Sequence, residues 1–177
     1  MLYISLILCM VAGFLLGSIP FGLVIAKTLK GIDPRKAGSG NIGSTNVARL
    51  CGRTCGIMTL FCDIMKGLLP SLLASFVIPD PFLQSLVAFS AVLGHIKSPF
   101  LGFKGGKGVA TTIGALIPLA FIPLLCAVGC FFIVFAATRY VSLSSMVMSG
   151  TLALFCAIFG HTGLLPLTIA LFIFIVW

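Results

Sequence analysis

Carboxylate side chains are nearly absent from this sequence. The 177 residues include three acidic residues, all aspartate, and no glutamate; the aspartates are Asp33, Asp63 and Asp80. Mechanisms that use paired carboxylates need two of them at one site, and a Ser-His-Asp triad needs one beside a histidine. Asp63 lies inside an apolar run and the other two lie in separate loops, so both mechanisms are excluded. Any chemistry must depend on positioning and on positive charge, with a substrate group supplying the base.

Charge of either sign is also scarce. Charged residues make up 8% of the chain and hydrophobic residues 60%, and the mean hydropathy is +1.27. Long apolar runs in such a composition are typical of transmembrane helices. The sequence therefore predicts an all-α integral membrane protein, with residues 1–177 as a single polytopic domain. All but one of the 11 Lys and Arg residues lie between the apolar runs, which favours anionic small molecules or lipid headgroups as partners and not nucleic acid.

Metal-binding cysteine pairs are missing as well. None of the seven cysteines belongs to a C-x-x-C pair, and most lie within apolar runs. A reduced thiol in such a run behaves as a small hydrophobic residue. We therefore expect no metal, no disulfide framework and no cofactor.

Six apolar runs define the expected membrane topology; they cover residues 2–26, 55–79, 82–96, 109–137, 141–160 and 163–177. The first lysine is Lys27, so the N-terminal run is interpreted as a retained span and not as a signal peptide. The run 109–137 would form a helix of about 44 Å, against a hydrocarbon core of about 30 Å. It contains Pro118 and Pro123, which break or kink helices. We therefore expect two helices there and about seven spans in total, with six as the alternative.

Basic residues concentrate on one side of this topology. Residues 27–53 contain six of the eleven and residues 97–107 contain three, whereas the turns at 78–82 and 160–163 contain none. Cytoplasmic loops collect Lys and Arg. The two basic segments are therefore expected in the cytoplasm, with the N-terminus outside and the C-terminus inside.

Two segments, AGSGNIGSTNVAR (37–49) and GFKGGKGVATTIG (102–114), interleave basic residues with glycine and small polar residues. Neither satisfies a nucleotide-binding fingerprint: the first lacks a preceding strand, and the second has Gly108 where a phosphate loop requires Ser or Thr. Glycine-rich turns at a helix N-terminus still let backbone N–H groups converge on an anion. We expect Lys104, Lys107 and free amides to surround one phosphate. A second cradle is expected from Ser39, Asn41, Ser44, Thr45 and Asn46, with Arg49 as a bidentate fork.

Simpler interpretations compete for the same residues. Basic loops at a membrane surface are often only topology signals or headgroup contacts, which is the interpretation we favour for Lys27, Lys30 and Lys36. His95 is either a structural histidine at a helix end or a catalytic group. Asp63 and Lys66 are expected to neutralise each other and to link to the loops without direct catalysis. A transporter of organic phosphate or anionic lipid is the alternative function, but it would place its site near the membrane midplane.

The segments GSIPFG, AGSGNIGSTNVAR, GHIKSPFLGFKGGKGVATTIG and RYVSLSS, in this order, resemble the bacterial acyl-phosphate:glycerol-3-phosphate acyltransferase family over nearly the whole chain. The resemblance implies a seven-span enzyme of the bacterial cytoplasmic (inner) membrane, with its active site facing the cytoplasm. It implies that acyl phosphate and glycerol 3-phosphate yield 1-acyl-glycerol 3-phosphate, within membrane lipid. It also implies functional coupling to a soluble phosphate acyltransferase that supplies the acyl phosphate.

The resemblance further implies which residues act. The catalytic residues would be Ser39, Asn41, Arg49 and Lys107. The substrate-binding residues would be Gly40, Thr45, Asn46, His95, Lys104, Gly105, Gly106, Gly108, Thr111 and Ser142. The family also carries a cytoplasmic tail with a His, an Asn, basic residues and a Glu, whereas this sequence ends at Trp177. We therefore expect a truncated sequence in which part of the acceptor site lies beyond Trp177.

The expected mechanism follows from the missing carboxylates. Acyl phosphate is an activated mixed anhydride, so alignment of the reactants supplies much of the acceleration. We expect a phosphate oxygen of the donor to take the proton of the acceptor hydroxyl. The competing hypothesis is a covalent acyl-enzyme on Ser39 or a cysteine.

Overall fold

The computed structural model describes residues 1–176. Within this range the chain forms nine α-helices and two short 3₁₀ helices, and no strand. The α-helices are α1 (Leu2–Ser18), α2 (Phe21–Lys30), α3 (Ser44–Cys51), α4 (Arg53–Val77), α5 (Pro81–Ile96), α6 (Val109–Leu116), α7 (Phe121–Thr138), α8 (Val141–Ile158) and α9 (Leu165–Val176). The 3₁₀ helices cover Pro99–Leu101 and Thr162–Leu164. The expected all-helical fold is confirmed over this range.

Four stretches of the described chain are long and apolar enough to cross a bilayer; they are Leu2–Lys30, Arg53–Val77, Phe121–Thr138 and Val141–Ile158. Each contains at least 18 residues, close to the roughly 20 that a span requires. Helices α5, α6 and α9 are shorter, with 16, 8 and 12 residues. Since α6 is only about 12 Å long, it cannot cross a bilayer alone. The total of seven spans stays a prediction.

The apolar run 109–137 divides into two helices, as its length predicts. Helix α6 ends at Leu116 and α7 begins at Phe121, with Pro118 in the connection. Pro123 does not interrupt a helix, because it lies in the first turn of α7, where no intrahelical N–H bond is lost. The break is therefore confirmed, and Pro118 alone lies within it.

The N-terminal run 2–26 is not the continuous helix that its composition predicts. Helix α1 ends at Ser18, and α2 begins at Phe21. Ile19 adopts an extended conformation, with φ −61° and ψ 120°. Proline disfavours the helical conformation of the residue before it, so Pro20 explains the interruption. The carbonyl of Ser18 is consequently left without an intrahelical donor, whereas that of Ile19 accepts the N–H of Phe21 at 3.0 Å.

Glycine residues lie where two pairs of helices have their backbones in direct contact. A Cβ at Gly17 of α1 would overlap the carbonyl of Ala91 on α5. A Cβ at Gly67 of α4 would overlap the carbonyl of Thr111, and one at Gly114 of α6 would overlap that of Ile64. Small residues allow such backbone contact between membrane helices. Helix α4 therefore lies directly against α6, which places its buried polar residues beside the segment that precedes α6.

Candidate functional site

The loop between α2 and α3 is shaped by the side chain of Asn46. Its amide nitrogen donates to the carbonyls of Pro34, Ala37 and Asn41 at 3.0, 3.2 and 2.8 Å. Its Oδ1 accepts the backbone N–H of Ser39 at 3.0 Å. Asn46 is buried, with 3% of its surface exposed. It therefore holds the loop in shape from within, and the contact with substrate that the sequence suggested for it stays a prediction.

Residues 37–43, which we call the serine loop, leave their polar groups accessible. Ser39 and Gly40 are exposed. Gly40 has φ +68°, a conformation that favours glycine. Asn41 Oδ1 accepts the N–H of Gly43 at 2.8 Å, which turns the chain into α3. On α3, Thr45 and Arg49 are both exposed and lie four residues apart, which puts them on one face of the helix.

Residues 102–108, the glycine–lysine segment, fold back onto the end of α5. The N–H of Gly105 donates to the carbonyl of Ile96 at 2.9 Å, and that of Gly106 to the carbonyl of His95 at 3.1 Å. These amides are therefore not free for a phosphate, which corrects the expectation that they would form the cradle. Free amides lie further on, because the first N–H groups of α6 have no intrahelical acceptor; the first such bond runs from Thr112 to Gly108, at 2.8 Å.

The lysines of this segment point outward. Lys104 and Lys107 are exposed, whereas Gly106 and Gly108 are buried and Gly105 is half-buried. Lys107 Nζ donates to Ser142 Oγ at 3.3 Å, which joins the segment to the first turn of α8. The structure therefore brings together Lys107 and Ser142, two residues to which the family resemblance assigns a part in the site.

Two other predicted residues are enclosed. Thr111 is fully buried, and its hydroxyl has no hydrogen-bond partner among the described residues. His95 is 4% exposed, and a Cβ at Gly106 would overlap its Nε2. Direct contact of these two side chains with substrate stays a prediction.

Asp63, Lys66 and His95 form a buried cluster between α4 and α5. Lys66 Nζ lies 2.8 Å from Asp63 Oδ1, and His95 Nδ1 lies 3.6 Å from the same oxygen. The sequence predicted the pairing of Asp63 with Lys66, which the structure confirms. The contact with His95 was not predicted, because α4 and α5 meet only in the folded chain. The only hint in the sequence was that charged residues inside a membrane span are rare and usually paired.

Another contact that the sequence did not reveal joins the segment Ser98-Pro99-Phe100 to the end of α1. Ser98 Oγ donates to the carbonyl of Ser18 at 2.6 Å. This carbonyl is one of those released where α1 ends. The segment that begins at Ser98 is therefore anchored to the break between α1 and α2.

None of the three aspartates is free to act as a base. Asp33 accepts from Arg35 Nε and Nη2 at 2.9 and 2.6 Å, and this hydrogen bonding holds the pKa of Asp33 well below its usual range. Asp63 is paired with Lys66, and Asp80 accepts the N–H of Leu83 at 2.8 Å to cap α5.

The site is accordingly a cationic one. Its exposed basic residues are Arg49, Lys104 and Lys107, and hydroxyl and amide groups accompany them. Among the described residues, every carboxylate is paired with or hydrogen-bonded to another group. In the same range no three His, Cys, Asp or Glu residues lie together as a metal site would require. Such an arrangement suits binding of phosphate esters and stabilisation of negative charge.

Comparison with known proteins gives consistent matches. A family model described as glycerol-3-phosphate acyltransferase matches residues 7–177. The glycerol-3-phosphate acyltransferase of Lawsonia intracellularis is 43% identical over 168 residues, which cover 94% of this chain and 84% of that protein. The enzyme of the same name from Desulfovibrio desulfuricans is 46% identical over 171 residues, covering 97% and 77%.

Two solved structures have the same fold. They are crystal structures of PlsY (YgiH), an integral membrane glycerol 3-phosphate acyltransferase, in its glycerol 3-phosphate and lysophosphatidic acid forms. The TM-scores are 0.91 and 0.89, with sequence identities of 39% and 38%. Each alignment covers 97% of this chain and 86% of the other.

Proposed function

The chain belongs to the glycerol-3-phosphate acyltransferase family, and from this membership we propose how it acts and with which acyl donor. It is an integral membrane enzyme that acylates glycerol 3-phosphate. Its donor is an acyl phosphate, and its product is 1-acyl-glycerol 3-phosphate, that is, lysophosphatidic acid. The observation that carries this assignment is the pair of exposed cationic segments, residues 37–49 and 102–108, in a chain whose three aspartates are all engaged elsewhere.

Each of the two segments contributes residues to the binding of both substrates. Lys107 and Ser142 are already in contact, at 3.3 Å, and together with Arg49 they orient glycerol 3-phosphate. Guanidinium suits this task because its fork can hold two phosphate oxygens at once. Among the remaining residues, the more accessible ones surround the donor phosphate; they are Ser39, Gly40, Asn41, Thr45 and Lys104. The enclosed ones support the two segments from within; they are Asn46, His95, Gly105, Gly106, Gly108 and Thr111.

Acyl transfer is direct. The acceptor hydroxyl oxygen forms a bond to the acyl carbon, and the bond from that carbon to the phosphate oxygen breaks. The hydroxyl proton passes to the departing phosphate, so the reaction needs no side chain as base. Lys104 and Lys107 stabilise the negative charge that develops, as preorganised cations do most effectively.

The active site faces the cytoplasm of a bacterial inner membrane, in a seven-span chain with its N-terminus outside. Support comes from charge, because nine of the eleven basic residues lie in segments 27–53 and 97–107, and cytoplasmic loops collect such residues. A soluble phosphate acyltransferase then delivers the donor from the same side.

Single cysteines test this orientation. In right-side-out vesicles, an impermeant maleimide should label Asp80→Cys and Thr162→Cys but not Ser39→Cys or Ser142→Cys. All four positions are exposed, so accessibility alone does not bias the comparison. Labelling of Ser142→Cys from outside would contradict the seven-span arrangement and the turn at Pro118.

A donor comparison tests the proposed function. The purified chain in detergent is supplied with labelled glycerol 3-phosphate and one of three donors of equal chain length: acyl phosphate, acyl-CoA or acyl carrier protein thioester. We expect labelled lysophosphatidic acid with acyl phosphate alone. Equal or faster product formation with a thioester donor would refute the donor assignment.

A further inference from the structure

Three buried polar side chains have no part in the transfer itself. Asp63 and Lys66 on α4 and His95 on α5 are 2–4% exposed. Ionised groups inside a membrane protein are costly unless paired, and such residues are retained where they serve a function. Residues next to the cluster contact both cationic segments. One route leads to the glycine–lysine segment, and the other leads to the serine loop at the start of segment 37–49.

The first route runs from His95 to the glycine–lysine segment. The His95 carbonyl accepts the N–H of Gly106 at 3.1 Å, and the adjoining Ile96 carbonyl accepts that of Gly105 at 2.9 Å. The imidazole Nε2 fills the space where a Cβ of Gly106 would lie. The other ring nitrogen, Nδ1, is 3.6 Å from Asp63 Oδ1. Asp63 therefore lies against the ring on which the segment packs, as its nearest charged group, without a hydrogen bond to it.

The second route runs from Lys66 to the serine loop. Lys66 Nζ donates to the carbonyl of Ile19 at 2.8 Å, in the break between α1 and α2. The same ammonium lies 5.8 Å from the centroid of the Phe21 ring, within cation–π range. Phe21 begins α2, and the serine loop rests on that turn, because a Cβ at the next residue, Gly22, would overlap the carbonyl of Ile42.

We propose that the Asp63–Lys66–His95 cluster is a positioning unit that sets the separation of the two cationic segments. This inference rests on the proposed function, because it assumes that the two segments hold the acyl phosphate and the glycerol 3-phosphate. Small displacements of reactants can lower a rate by about 10²-fold. The three residues thus control turnover without touching substrate.

The test replaces the ion pair by apolar residues of similar size. Asp63→Leu with Lys66→Met leaves no unpaired buried charge, so the double variant should fold as well as the wild type. We expect kcat to fall roughly 10–100-fold while KM for glycerol 3-phosphate stays within about threefold. Hydrogen exchange at the amides of Gly105 and Gly106 should become faster. His95→Gln, which keeps both charges, should give the same pattern.

Ser85→Ala is the matched control, because Ser85 is a buried hydroxyl on α5 that donates within its own helix, to Phe82. This variant should leave kcat and the exchange of both amides unchanged. A double variant with wild-type kcat, or with unchanged exchange at the two glycines, would overturn the inference. Hydrogen exchange is measured without an acyl donor, so it tests the role of the cluster independently of the reaction. Failure of the wild-type protein to use acyl phosphate would count against the proposed function alone.

Discussion

Replacing Lys107 by alanine is expected to lower kcat/KM by about 10²–10³-fold, the usual loss when one preorganised electrostatic group is removed from a transition state. Lys107 is exposed and contacts Ser142, and an exposed contact of this kind contributes little to stability. The loss should therefore appear in steady-state rates with acyl phosphate and glycerol 3-phosphate, with an unchanged melting temperature in detergent.

Lys30→Ala is the matched control for this substitution. Lys30 is also exposed and lies in the last turn of α2, outside both segments. We expect its removal to change kcat/KM by less than about twofold. Equal losses of kcat/KM at Lys30 and Lys107 would mean that the basic residues act only as a general positive surface. The specific role assigned to Lys107 would then be wrong.

Gly105→Ala is expected to lower kcat/KM by about 10²-fold or more, because it displaces the glycine–lysine segment. A Cβ at this position would overlap the carbonyl of His95, which is backbone and cannot rotate away. The N–H of Gly105 would also lose its bond to Ile96. Lys104 and Lys107 would then no longer face the reactants correctly.

Gly129→Ala controls for the added methyl group. Gly129 lies within α7, and a Cβ there would meet no other atom within 4 Å. Alanine in a helix interior is more favourable than glycine by up to about 1 kcal/mol, so stability should be equal or higher and activity unchanged. Wild-type turnover by the Gly105 variant would show that the shape of the segment is not needed for transfer.

Local sequence chemistry predicted much of this architecture. The length of run 109–137 and its prolines predicted the break at residues 117–120. The spacing of Asp63 and Lys66 predicted their ion pair. Both inferences depend on neighbours along the chain and on the cost of charge in an apolar run, which a sequence displays directly.

Contacts between distant segments could not be predicted in the same way. Asn46 was suggested as a substrate ligand, but its side chain bonds to backbone groups as far away as Pro34. The free amides expected at Gly105 and Gly106 are instead bonded to the end of α5. The bonds from Ser98 to Ser18 and from Lys66 to Ile19 span 80 and 47 residues. Hydrogen-bond partners of this kind are set by helix packing, which composition and spacing do not specify.

The most direct test of the central claim, direct transfer from acyl phosphate to glycerol 3-phosphate, is to incubate the enzyme with the donor alone. Intact-mass spectrometry and rapid measurement of released phosphate would follow the first turnover. Direct transfer predicts an unmodified protein mass and no phosphate burst until glycerol 3-phosphate is added, since both reactants must be bound together. An acyl group on Ser39 or on a cysteine, formed with a stoichiometric burst of phosphate, would contradict the account.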